Sequence, residues 1–460
     1  MHKKLFVALI AFCFIQKTIA QKRFRDEIFS SVDSVSNIQY GEAMNIKGDK
    51  EKLLLDVFTP SKDDTLKKRP LLIFIHGGGF QNNSKNGSFS SMVCMSFAKR
   101  GYVTATIDYR LGVEKSGYED GKEVKTNKDY AEALYRAQQD GRAAIRFFRK
   151  HADEYGIDTA QIFLTGSSAG SKTCMAIAYM DDNEVPADVN RKKWGTLEGN
   201  SGNEGYSSKV NGVMNNWGAM IDFRWIKSGD VPLFNTSGTE DKTVPFDSSY
   251  DYHGFKYGAY ILFRHCLSVG IPTGWRPFYG AGHTLDNKKD KQDSCVKSMA
   301  AWLYTQLAGN KNKKEEGVFK WEKDISAFDS LNKAEVHGKD AILFIGSSYI
   351  RRWKNIRQDL DYADIIHRGF GGSNLNDVCY YVNRIVSPHQ PKAVFIYVGN
   401  DITASSKDKS PDQVLELYKY VVSIIREKYP TVPITWLAIN PSPKRWAVWN
   451  QINETNQAIK

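Results

Sequence analysis

The sequence predicts two α/β units in tandem, each a mainly parallel sheet with helices packed on it, and two observations lead to that reading. The first is a repeated theme of short apolar strands that end in glycine or serine and run into helix-like periodicity, at 71–75, 103–107, 161–165 and 232–235, then again at 341–345, 393–397 and 434–439. The second is a break between the two series, where the run NKNKKEE at 310–316 is charged and turn-prone. A chain of 460 residues also exceeds what one core usually organises. The expected division is a first unit over 22–308, a linker and lead-in helix over 309–338, and a second unit over 339–460.

Ahead of the first unit, His2, Lys3 and Lys4 precede the apolar run LFVALIAFCFI at 5–15, which is too short to span a bilayer. Thr18, Ile19 and Ala20 then offer a small-residue cleavage site, so residues 1–20 read as a secretory signal peptide and the mature chain as secreted or periplasmic. Cys13 is a poor lipidation site because bulky Phe12 precedes it and the apolar run continues past it. Loss of Lys3, Lys4 and Lys17 lowers the formal charge from +11 to +8. The remaining excess comes from scattered lysines rather than basic stripes interleaved with aromatics, which argues against a nucleic-acid partner. An apolar fraction of 41% and a charged fraction of 25% are those of ordinary globular proteins, and no later stretch is apolar enough to span a membrane. An exported chain is allowed disulfides, and Cys266 with Cys295 is the pair to test, against the alternative of buried free thiols. No metal or cofactor motif is present.

Within the first unit, Leu134, Ala137, Gly141, Ile145 and Phe148 share one helical face. The sharpest chemical signal is Gly166-Ser167-Ser168-Ala169-Gly170, set between an apolar strand and the helix-compatible SKTCMAIA at 171–178. Glycines permit a tight strand-to-helix turn that lifts Ser168 above the sheet as a nucleophile. His76-Gly77-Gly78-Gly79 follows another strand, and its unobstructed backbone, with that of Ala169, suits an oxyanion hole built from the N–H groups of Gly78, Gly79 and Ala169. His76 itself reads as structural. Asp241 lies in a loop after the strand at 232–235 and His283 on a small-residue turn, in the chain order an orienting acid and a base require. Glu240, Asp222, His253 and His265 are weaker alternatives.

Together these motifs resemble the α/β-hydrolase superfamily, specifically its carboxylesterase and hormone-sensitive-lipase-like branch with its H-G-G-G motif. The resemblance covers about residues 45–307, including LDVFTP at 55–60 and DYRL at 108–111. It implies an α/β-hydrolase fold and a serine esterase with Ser168, Asp241 and His283 as triad.

In the second unit, Gly346-Ser347-Ser348, Gly371-Gly372-Ser373 and Gly399-Asn400-Asp401 are similar to the first three blocks of the SGNH or GDSL hydrolases, which have a flavodoxin-like three-layer fold. The resemblance implies a nucleophile at Ser348 and oxyanion donors at Gly372 and Asn400. The third block is one residue short, and the family's C-terminal D-x-x-H block is missing, since the last histidine is His389. Asp364 and His367 have the spacing but precede the glycine block, so the unit is expected to be truncated before its base or inactive.

The expected function is therefore carboxylic-ester hydrolysis, with acetyl or feruloyl esters of polysaccharides as the substrates that paired exported esterase domains suggest. A general esterase or lipase is the alternative, but residues 181–210 are polar with only Trp194 as a large apolar anchor, a poor lining for an acyl tunnel. A third reading makes the second unit a non-catalytic carbohydrate-binding module that stacks sugars on Tyr349, Trp353, Trp446 and Trp449.

Overall fold

The computed structural model describes residues 23–119, 122–251, 254–278, 280–307, 321–405 and 408–460. The signal peptide and Cys13, the charged run at 310–316, and His253 lie outside the described residues.

The first unit is an eight-stranded sheet. Its strands are β1 (Val32–Met44), β2 (Lys50–Pro60), β3 (Arg69–Ile75) and β4 (Val103–Ile107), then, after a small hairpin of β5 (Gly117–Glu119) and β6 (Lys122–Val124), β7 (Ile157–Ser167), β8 (Val213–Asn216) and β9 (Leu233–Gly238). A second hairpin, β10 (Ser248–Asp251) and β11 (Gly254–Tyr257), precedes the last strand, β12 (Thr273–Phe278). The order is β1-β2-β4-β3-β7-β8-β9-β12; β1 and β2 are antiparallel additions, and the strands from β4 to β12 run parallel. This architecture fits the α/β-hydrolase fold.

Five longer helices cover the two faces: α1 (Ser88–Ala98), α2 (Asn127–Lys150), α3 (Ala169–Tyr179), α4 (Ala259–Ser268) and α5 (Lys289–Gln306). Strand β3 shows the logic. Leu71, Ile73 and Ile75 enter the core beneath α2, α3 and α4, whereas Leu72 and Phe74 enter the one beneath α1 and α5. All five side chains are fully buried, as expected for a central parallel strand covered on both faces.

Of the two alternatives for Cys266 and Cys295 the structure gives free thiols, and the apolar face expected on α2 is only part of what that helix buries. Cys266 packs in the α2 core and Cys295 in the α5 core, so the sheet separates the two thiols and both are free. Helix α2 carries more than an apolar stripe, because its opposite face is also buried, with Arg136, Gln138, Gln139, Asp140, Arg142 and Arg146 inside. Residues 181–210 supply many of the partners of that polar face. Gln138 and Gln139 donate to the carbonyls of Leu197, Trp194 and Thr196, and Arg142 and Arg146 pair with Glu198. Arg136 stacks on Trp194 at 4.5 Å. The polar composition of 181–210 thus matches a buried polar helix face, and the segment clasps α2 and β1 rather than forming an acyl tunnel.

Helix α6 (Glu322–Ala334) leads into a separate four-stranded parallel sheet of β13 (Ile342–Gly346), β14 (Ile365–Gly369), β15 (Ala393–Tyr397) and β16 (Ile434–Trp436), in the order β14-β13-β15-β16. With it go α7 (Ser348–Arg352), α8 (Leu375–Val386), α9 (Pro411–Lys428) and α10 (Trp449–Ile459). Strand β16 is shorter than the apolar run at 434–439 suggests, since only Ile434–Trp436 pairs. The two units touch where α4 and β12 present Tyr260, Phe263 and Trp275 to the second core, and Tyr260 Oη lies 3.0 Å from Ser423 Oγ.

Candidate active site

The sequence-selected residues of the first unit converge at the carboxyl ends of parallel strands, where side chains leave the sheet and backbone groups lose their ladder partners. Ser168 follows β7 and precedes α3 with φ 52° and ψ −117°, a strained conformation for a residue with a Cβ. The turn is this sharp because α3 packs directly on the end of β3: a Cβ on Gly170 would stand 1.9 Å from the Ile75 carbonyl oxygen. Only glycine allows that approach.

Ser168 Oγ lies 3.1 Å from His283 Nε2, and His283 Nδ1 lies 2.7 Å from Asp241 Oδ2. The Asp241 side chain is fully buried, and its second oxygen accepts the N–H groups of Thr243 and Val244 at 2.9 and 2.8 Å. With those bonds made, Oδ2 is directed at the imidazole, which is 22% exposed and open to a substrate. Residues 115 positions apart in sequence thus form one hydrogen-bonded chain.

Beside it, the 76–79 turn abuts the serine: a Cβ on Gly77 would lie 3.3 Å from Ser168 Cβ. Gly78 has φ 112°, which a larger residue would adopt only under strain. Among the described residues, the N–H groups of Gly78, Gly79 and Ala169 have no hydrogen-bond acceptor, so they are free for a ligand. His76 is buried, stacked on Tyr109 with ring centroids 4.4 Å apart, with Nδ1 2.7 Å from the Gly77 carbonyl oxygen. Burial lowers its pKa, and these contacts fit the structural reading.

Glu240 and Asp222 stay outside this chain: Asp222 pairs with Arg224, and the N–H of Glu240 bonds the Ala281 carbonyl. His265 bonds the Ile226 carbonyl.

Sequence reasoning missed two supports. Asn216, at the end of β8, accepts the Ser168 N–H on its carbonyl and donates its side-chain amide to Gly166 O and Thr165 Oγ1. Its Oδ1 accepts Thr236 Oγ1, so one buried side chain links β7, β8 and β9 under the serine turn. The pair of asparagines closing an apolar strand was the available signal. The second is the turn after His283, where Thr284, Leu285, Asp286 and Asn287 all have φ of 53–55°. Leu285 is fully buried and anchors it; nothing local in the sequence announces a left-handed run.

In the second unit, Ser348 follows β13 and its Oγ accepts the Gly372 N–H at 2.8 Å. Asn400 instead donates its amide to the Ser373 carbonyl and accepts from Arg445. Asp364 and His367 do not join Ser348. Asp364 binds His337 and the Gly338 N–H at the opposite end of the sheet, and His367 Nε2 bonds the Ile350 carbonyl. Of the four candidate stacking aromatics, Tyr349 and Trp446 are exposed, while Trp353 and Trp449 pack against the cores.

A cavity of about 570 Å³ between the units, lined by Phe263, Trp275, Trp302, Cys379, Tyr380 and Leu417, includes none of the Ser168 group. Among the described residues, no cluster of three or more His, Cys, Asp or Glu is arranged to hold a metal ion, and no helix is long and apolar enough to cross a membrane.

Comparison with known proteins gives a match of residues 55–228 to the BD-FAE family model. Gut esterase 1 of Caenorhabditis elegans is 31% identical over 119 residues, 26% of this chain and 19% of that protein. Endo-1,4-beta-xylanase B of Butyrivibrio fibrisolvens is 24% identical over 269 residues, 55% of this chain and 38% of that protein. The chain thus spans well under half the length of these curated relatives. Among solved structures, the apo form of Thermogutta terrifontis esterase 2 aligns with 59% of this chain and 94% of its own, at 22% identity and a TM-score of 0.44.

Proposed function

We propose that the chain is a secreted or periplasmic serine carboxylic-ester hydrolase that removes acetyl or feruloyl groups from polysaccharides through an acyl-enzyme on Ser168. The observation that carries the reading is the Ser168–His283–Asp241 chain at 3.1 and 2.7 Å, with free backbone N–H groups beside it. His283 Nε2 takes the hydroxyl proton as Ser168 Oγ attacks the ester carbonyl, and Asp241 holds the imidazolium that forms. The carbonyl oxygen becomes an anion facing the N–H groups of Gly78, Gly79 and Ala169, where each donor is worth about 10²–10³ in turnover. His283 then protonates the departing alcohol, and water repeats the sequence on the acyl-serine. The match to the BD-FAE model and relatives named as esterases support ester hydrolysis. The likeness to a xylanase and the signal-like residues 1–20 support an exported enzyme acting on polysaccharide.

The test is a screen of the purified chain on acetylated xylan, feruloylated oligosaccharide and p-nitrophenyl esters of increasing length. Release of acetate or ferulate, with rates falling as the acyl chain lengthens, is expected. Preference for long acyl chains would instead make it a general esterase or lipase.

A further inference from the structure

We propose that the crevice beside Ser348 is a binding site for an oxyanion, the carboxylate of an acidic sugar or a phosphate group. The crevice has a volume of about 410 Å³ and is lined by Ser348, Arg351, Arg352, Lys354, Gly371 and Gly372. Three cations therefore face one small space with no carboxylate in its lining. All three are exposed and none forms an ion pair with a described residue, whereas Glu335 holds Arg368 and Asp329 holds Arg384 in the same unit. Like charges gathered without a counterion repel one another, and a bound anion removes that cost.

The crevice is shaped as well as charged. Arg351 lies across the 371–372 turn, where a Cβ on Gly371 would meet its guanidinium at 2.6 Å, and a Cβ on Gly372 would meet the Trp321 ring at 3.2 Å. The exposed Arg351 side chain thus lies against the glycine turn that lines the crevice. Because Ser348 Oγ already accepts the Gly372 N–H, its own proton is available to an acceptor. The place in the fold is also that of a ligand site. In the order β14-β13-β15-β16, the chain leaves β13 in opposite directions, and Ser348 stands at the carboxyl end of β13 beside this reversal. Binding an anion there needs no general base, and among the described residues no His, Asp or Glu side chain bonds Ser348 Oγ.

The experiment is calorimetric titration of the full chain carrying Ser168→Ala, so that ester turnover does not contribute, with sodium glucuronate, inorganic phosphate and neutral methyl glucoside. Both anions, or one of them, are expected to bind and to weaken as salt rises; the tighter one identifies an acidic sugar or a phosphate as the source. Arg351→Ala and Ser348→Ala are each expected to weaken binding about tenfold, the scale of one charge-assisted hydrogen bond, and Arg351→Lys to recover part of the loss. Thermal unfolding by circular dichroism checks that the variants stay folded. Methyl glucoside binding as well as glucuronate would overturn the proposal. So would undiminished anion binding by the triple variant Arg351→Ala, Arg352→Ala, Lys354→Ala.

Discussion

The backbone N–H of Ser168 bonds the carbonyl oxygen of Asn216 at 3.0 Å, which ties the strained serine turn to the end of the neighbouring strand. Asn216→Leu removes the amide that serves Gly166 and Thr165 and the acceptor for Thr236. A loss of about 1–3 kcal/mol in urea unfolding is expected, with kcat reduced more than KM as the serine loses its placement.

Removing a member of the hydrogen-bonded chain should be far more damaging to rate than to stability. Ser168→Ala, His283→Ala and Asp241→Asn are each expected to lower kcat by about 10⁴ with an unchanged unfolding midpoint. Initial rates on a p-nitrophenyl ester measure it.

Arg110 and Asp140 form a buried ion pair at 2.7 Å, joined by Ser201 Oγ. Asp140→Ala leaves the guanidinium buried without its carboxylate, and about 3–5 kcal/mol of stability is expected to go with it. Arg110 with Asp140 replaced together should cost less than Asp140 alone, which a double-mutant cycle reads directly.

Burial of His389, with smaller contributions from Arg368 and His337, pushes its pKa down to about 4. The folded chain therefore binds fewer protons at this group than the unfolded one, whose imidazole titrates near 6.5. Stability is full above that value, falls as pH drops from 6.5 towards 4, and levels off below. Burial lowers His367 and His76 in the same direction. His389→Gln is expected to flatten, but not abolish, the slope of Tm against pH in this window.

Burial holds the thiols of Cys266 and Cys295 at about 12, on opposite sides of the sheet. Neither is expected to react with iodoacetamide in the native chain, and both are expected to react in denaturant without reductant. A tryptic peptide linking the two would contradict this arrangement.

Glycines at 77–79, 166 and 170, Ser168 between the latter two, and the alternation of apolar strands with helices are local features, and they led to two α/β units and to Ser168, while Asp241 and His283 were chosen by their order after it in the chain and by resemblance to a known family. Which residues support them is a matter of long-range packing. The place of Asn216 under the serine, the left-handed turn behind His283, the burial of the polar face of α2 against 181–210, and the separation of Cys266 from Cys295 each depend on segments distant in sequence meeting across a sheet. Hydrogen-bond satisfaction and core packing are settled only when those segments are together, so the tertiary structure alone decided them.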